Sequence, residues 1–206
     1  MKRIVLIGIA GGSGAGKSTL TSKLMASDPD AYGFIELDDY MKKVEDVPKL
    51  LGRDNWDHPE TIDFGKLVQD LKDLKAGRSI MRLTKNRSYN PSFGETRIMI
   101  PIEVRPRPIM LVEGFYILYD RRVRDLLDKK IWLEAGHERR WERRAHFKDD
   151  QYETGVNKPM YEQFVFPTRQ YADAIIDAEG KNGEEVFREV EVMMKPYFTK
   201  ELHKFI

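Results

Sequence analysis

The segment Gly11-Gly12-Ser13-Gly14-Ala15-Gly16-Lys17-Ser18, followed by Thr19, has the glycine, lysine and hydroxyl spacing of a Walker A loop. Each residue type there answers a need of a polyphosphate. Glycines let successive backbone N–H groups turn into one concavity around the phosphate oxygens. A helix opening near Lys17 would add the positive end of its dipole. The Lys17 ammonium can bridge the β- and γ-phosphates, and the Ser18 hydroxyl can ligate Mg²⁺. A glycine-rich turn beside a stray lysine is the plainer alternative. The context argues against it, because the loop lies between an apolar β-branched run and a helical pattern.

Other groups fit for chemistry follow along the chain. Asp38-Asp39-Tyr40 ends an apolar run, Trp56-Asp57-His58-Pro59 lies in a polar stretch, and Glu113-Gly114-Phe115 ends a wholly apolar one. Arg140, Arg143 and Arg144 have the three- and four-residue spacing that puts side chains on one helix face. Phe166-Pro167-Thr168 leads into Tyr171-Ala172-Asp173. In order and spacing these motifs resemble those of the uridine kinase and phosphoribulokinase family, and over nearly the whole chain they look most like uridine-cytidine kinases.

That resemblance implies roles. ATP and Mg²⁺ would be the cofactors, with the triphosphate on residues 11–19 and the metal on Ser18 and Glu113. Glu113 is an acid at the end of an apolar strand, where a carboxylate without a cation is costly. Asp38 would accept the proton of the acceptor hydroxyl. Asp38, Tyr40, Trp56, Asp57 and Arg143 would seat the acceptor. An aromatic face suits a planar base, and a carboxylate can take two ribose hydroxyls. Lys17, Arg140 and Arg144 would offset the charge of the transferring phosphoryl group. His58 is expected to fix its own turn, and the segment around Gly180, Lys181 and Asn182 to lie near the adenine.

The resemblance breaks in the loop that reads the base in uridine kinases. Their Tyr-Asp-Phe and His-Ser-Arg elements have no counterpart in residues 84–91, where Asn86, Arg87 and Tyr89 are the groups able to meet a base edge. Lys148 and Lys158 flank Asp149-Asp150 where the family carries more arginine. The implied reaction is phosphorylation of a primary hydroxyl, foremost the 5′-hydroxyl of a pyrimidine ribonucleoside. A nicotinamide riboside kinase or another sugar or vitamin alcohol kinase is the alternative, favoured slightly by the paired acids Asp38-Asp39. A regulatory NTPase without an acceptor is the reading from another class, and the acceptor elements speak against it.

The elements that must position these groups alternate. Apolar runs at 4–9, 33–37, 108–112, 131–133 and 174–176 read as strands. Helical patterns cover 17–25, 119–127, 137–148, 158–171 and 184–198, and one with Phe64, Leu67, Val68, Leu71 and Leu74 on one face is capped by Thr61. Strands at 79–83 and 96–104 should form a hairpin, and residues 40–59 an irregular loop. The expected fold is α/β, a single nucleoside-kinase-like P-loop NTPase domain over 1–206. It is a doubly wound parallel sheet with a hairpin excursion near 79–104 and a helical lid near 137–158.

Composition agrees with a globular enzyme. Of 206 residues, 41% are hydrophobic, and 35 Lys plus Arg nearly balance 34 Asp plus Glu. A net charge of +1 gives no global field for nucleic acid or a membrane surface, so neither is an expected partner. Without cysteine there are no disulfides or thiolate metal sites. The apolar start is too short for a signal peptide or a membrane span, which leaves a cytoplasmic enzyme, possible as a homo-oligomer.

Overall fold

The computed structural model describes the backbone of residues 3–144 and 149–202 and the side chains of 3–144 and 149–197. Five parallel strands form the central sheet: β1 (Val5–Ala10), β2 (Tyr32–Glu36), β7 (Ile109–Glu113), β8 (Lys129–Glu134) and β9 (Ala174–Asp177). Their spatial order is β2-β7-β1-β8-β9. β1 and β7 are buried at every position, which is why their sequences are apolar throughout and do not alternate.

Each face of the sheet has its own core, as double winding requires. On one face Leu6, Ile35, Val112 and Trp132 pack with Leu67, Leu71 and Leu74 of α2 (Phe64–Lys75) and Val123 of α4 (Arg121–Arg124). On the other, Ile7, Phe34, Leu111 and Leu133 pack with Leu20 and Leu24 of α1 (Lys17–Ser27) and with Val186, Val190 and Met194 of the C-terminal helix α6 (Gly183–Leu202). After β1 the chain leaves toward β2; after β7 it crosses to β8 on the far side of β1. The carboxyl ends of β1 and β7 therefore flank a topological switch point, where open α/β sheets bind ligands. The Walker loop follows one of these ends and Glu113 closes the other.

Several local expectations need correction. Asp63, not Thr61, caps α2, its side chain accepting from the Lys66 amide at 2.9 Å. Thr61 is wholly buried, and its hydroxyl donates to the His58 carbonyl at 2.7 Å. The second hairpin strand begins later than its β-branched content suggests. Residues Phe93–Thr96 form a helical turn, α3, left through Arg97 in the left-handed region at φ 56°. β5 (Ile80–Thr84) then pairs antiparallel with β6 (Ile100–Val104) in a sheet of their own. The loop at 40–59 contains a small hairpin, β3 (Lys49–Leu50) with β4 (Arg53–Asp54).

The helix expected over 137–148 is α5, His137–Arg143; Lys148 lies outside the described residues. Residues 150–171 form one helical stretch containing two turns with i→i+5 bonding, at Glu153–Asn157 and Tyr161–Val165, before a tighter last turn at Phe166–Tyr171. Among the described residues, no helix is long and apolar enough to cross a membrane.

Candidate active site

The Walker loop runs from β1 into α1, and its glycines are used. Gly14 and Gly16 sit in the left-handed region, at φ 84° and 99°. A Cβ on Gly12 would lie 2.5 Å from Arg140 Nη1 and 2.8 Å from Tyr161 Cε2, so a glycine there lets Arg140 and Tyr161 pack onto the loop. Lys17 is buried, and its Nζ donates to the Gly12 carbonyl at 3.1 Å. Burial pulls its pKa down, while Glu113 and Asp38 oppose that shift. A triphosphate would add to the counter-charge that Glu113 and Asp38 give this ammonium.

A cavity of about 370 Å³ opens beside the loop, lined by Ser13, Lys17, Ser18, Glu36, Asp38 and Glu113 among others. Ser18 Oγ donates to Glu113 Oε1 at 3.0 Å, whereas the buried Glu113 Oε2 has no partner. Burial raises the Glu113 pKa, a cost to the charged carboxylate that Lys17 partly offsets and a bound cation would offset further. An orphaned carboxylate oxygen beside a serine hydroxyl fits a magnesium ion that takes its other ligands from phosphate oxygens and water. Among the described residues there is no cluster of three or more acids and histidines that could hold a metal alone. Thr19 lines this cavity and a second one of about 230 Å³, which Lys181, Asn182 and Arg143 also line. Gly180 lines neither.

A third cavity, of about 630 Å³, adjoins the first and is lined by Trp56, Asp57, Arg144 and Tyr152 among others. Ser13, Asp38 and Phe115 line both it and the phosphate cavity. Asp57 Oδ1 accepts from Asn157 Nδ2 at 2.7 Å, which ties the acceptor wall to the 150–171 stretch. Burial pushes the Asp57 pKa up; hydrogen bonds from Tyr152 and Asn157 and the nearby Arg144 charge pull the other way.

Not every expected residue faces the site. Tyr40 lines neither cavity: it is buried, with its hydroxyl donating to Asp70 of α2 at 2.9 Å. It belongs to the core beneath the acceptor loop. Arg140, expected at the transferring phosphoryl, is 3% exposed and stacks on Tyr161, its Cζ 3.7 Å from the ring centre. Arg143 and Arg144 part because α5 ends at Arg143. Arg143 lines the phosphate cavity, and Arg144 turns to the acceptor cavity, paired with Glu153 at 2.8 Å.

Asn86 and Tyr89 do not line the acceptor cavity. Asn86 donates to Glu36 at 2.7 Å, and Tyr89 lines a groove between the β5–β6 hairpin and β2. His58 fixes its turn as expected, with Nδ1 accepting from the Glu60 amide at 3.2 Å. Asp39 forms a buried ion pair with Arg82. The sequence reading gave no role to Glu36, Phe115, Met41, Arg53 or Tyr152, all of which line a cavity. Glu36 could have been noticed as a second strand-end acid; it stands in register with Glu113. Arg53 and Tyr152 carry no local signal.

A parallel sheet of this order, with a Walker loop and an acid at its switch point and a second cavity alongside, defines a P-loop kinase fold. The Phosphoribulokinase / Uridine kinase family model matches residues 6–183, and the chain belongs to that family. It is similar to the uridine kinase of Clostridium novyi (strain NT), with 38% identity, covering 88% of this chain and 91% of that protein. The uridine kinase of Macrococcus caseolyticus (strain JCSC5402) is 35% identical, covering 88% and 92%. The chain is thus a kinase. Among solved structures, a possible uridine kinase from Bacillus stearothermophilus shares the fold with TM-score 0.59 at 18% identity, covering 86% of this chain and 90% of that one. Shikimate kinase from Acinetobacter baumannii shares it with TM-score 0.52 at 11% identity, covering 95% of each chain.

Proposed function

We propose that this kinase transfers the γ-phosphoryl group of ATP, with Mg²⁺, to the 5′-hydroxyl of a pyrimidine ribonucleoside. The observation that carries the reading is the position of Asp38 on the wall shared by the two cavities. A carboxylate there can accept the acceptor's hydroxyl proton as that oxygen takes up the phosphoryl group. The loop amides and Lys17 hold the triphosphate, and Ser18 with Glu113 would hold the metal. Bound there, the ion neutralises charge on the β- and γ-phosphate oxygens. Arg143 adds charge at the phosphate cavity; Arg140, packed against Gly12, braces the loop. Trp56 offers a face for the base and Asp57 a carboxylate for the ribose hydroxyls. The name uridine kinase carried by the relatives supports a nucleoside acceptor. The paired acids do not favour a different alcohol, because Asp39 is spent on Arg82.

A comparison of specificity constants for matched ribo- and 2′-deoxyribonucleosides tests the acceptor. Losing one hydroxyl leaves a desolvated carboxylate lone pair unpaired, so the ribonucleoside should be preferred by about 10–100-fold. Asp57→Ala should erase most of that preference and weaken acceptor use overall. Equal constants for the two sugars in the unmodified enzyme would remove Asp57 from the site and most of the case for a nucleoside.

A further inference from the structure

The end of β5 is fastened to the segment that carries Asp38 by three links. Arg82 and Asp39 form an ion pair whose side chains are 1% and 0% exposed. The Lys85 amide donates to Asp39 Oδ1 at 3.0 Å, and Asn86 Nδ2 donates to Glu36 Oε2 at 2.7 Å. With its backbone so fixed, Lys85 brings Nζ to 3.5 Å from Asp38 Oδ2 and 3.6 Å from Met41 Sδ. Met41 and Asp38 both line the acceptor cavity, so the ammonium backs that wall from behind while Lys85 itself lines neither cavity.

Asp38 needs such a partner. It lies among Glu36, Asp57 and Glu113 and adds to the negative potential at each. Lys17 answers that charge from the phosphate side. On the hairpin side the cation in contact with Asp38 is Lys85. Lys85 meets the carboxylate through Oδ2, and among the described residues Oδ1 is the oxygen it leaves to an acceptor hydroxyl.

We propose that Lys85 is a positioning residue for phosphoryl transfer, holding the Asp38 carboxylate in place and offsetting the negative charge gathered around it. The base-reading elements of uridine kinases are missing from this loop, and the hairpin instead serves the reacting end of the acceptor. The inference rests on the reading of Asp38 as the proton acceptor.

The test compares the full-length enzyme with Lys85→Met, Lys85→Arg and Asp38→Asn, using uridine with MgATP and, separately, hydrolysis of MgATP without acceptor. In hydrolysis Asp38 would act on water, so this arm does not depend on uridine being the acceptor. Lys85→Met should lower kcat and hydrolysis about 10–100-fold, the cost of a misplaced reacting group, with melting temperature and both KM values nearly unchanged. Lys85→Arg should keep most of the rate. Adding Lys85→Met to Asp38→Asn should cost nothing further, since the two act as a unit.

Near-normal rates in Lys85→Met would overturn the inference, as would a loss confined to KM, a Lys85→Arg variant as slow as Lys85→Met, or a full additional loss in the Asp38→Asn background. If Lys85→Met is normal while Asp38→Asn is inactive, the inference fails alone. If Asp38→Asn is itself active, the reading of Asp38 as the base fails, and the inference with it.

Discussion

Lys17→Ala is expected to fold and to lose phosphoryl transfer by about three decades or more, at or beyond the upper end for removing one preorganised electrostatic contact. Lys17 is 7% exposed, but it lines the phosphate cavity and its hydrogen bond is to a loop carbonyl. Its substitution therefore acts on the phosphate site before it acts on the core. The charge cannot be spared. Lys17 is the buried cation facing Glu113 and Asp38, and it stands where a triphosphate would bring several more negative charges. Without it Glu113, already pushed up by burial, would take up a proton more readily and hold a metal less well. ATP binding should weaken along with turnover. The checks are a coupled kinase assay and calorimetric ATP binding beside a thermal melt; near-normal turnover in a folded variant would contradict the assignment of the loop.

What could be read from the sequence tracks how local its determinants are. β1 and β7 announce themselves because strands buried on both faces need unbroken apolar runs. The Walker loop is legible for the same reason: loop, lysine and hydroxyl are consecutive, and their geometry is set by the strand before and the helix after. Arginine spacing misled because it presumes an unbroken helix. α5 stops at Arg143, so Arg144 leaves the shared face and meets Glu153, while Arg140 turns inward to Tyr161. Tyr40 misled differently. Its place in the motif suggests a substrate contact, but its partner Asp70 lies 30 positions away on α2. The acceptor wall was the least legible part. Asn157 reaches Asp57 across 100 positions, and Arg53 meets Asp149 across 96. Such contacts depend on the packing of the 150–171 stretch over the acceptor loop, and no short pattern encodes that.

Asp38→Asn is expected to lower turnover by about two to four decades, the range for a positioned general base, while ATP binding barely changes. The substitution keeps size and shape. The Asp38 side chain is 40% exposed and pairs with the partly exposed Lys85, so little folding energy depends on its charge. What is lost is the ability to accept a proton from the acceptor hydroxyl as the new bond forms. Asp39 could not take over, because its fully buried side chain is held by Arg82 and by the Lys85 amide and lines neither cavity. Glu36 and Glu113 line the phosphate cavity but not the acceptor cavity, so neither reaches the hydroxyl from that side. The variant therefore separates two mechanisms. In a loose, dissociative transition state the nucleophile bonds little, and positioning with charge could suffice without a base. A fall of less than about threefold in kcat would support that case and leave Asp38 as an orienting group only, whereas a fall within the general-base range means that proton removal is part of the rate-limiting barrier.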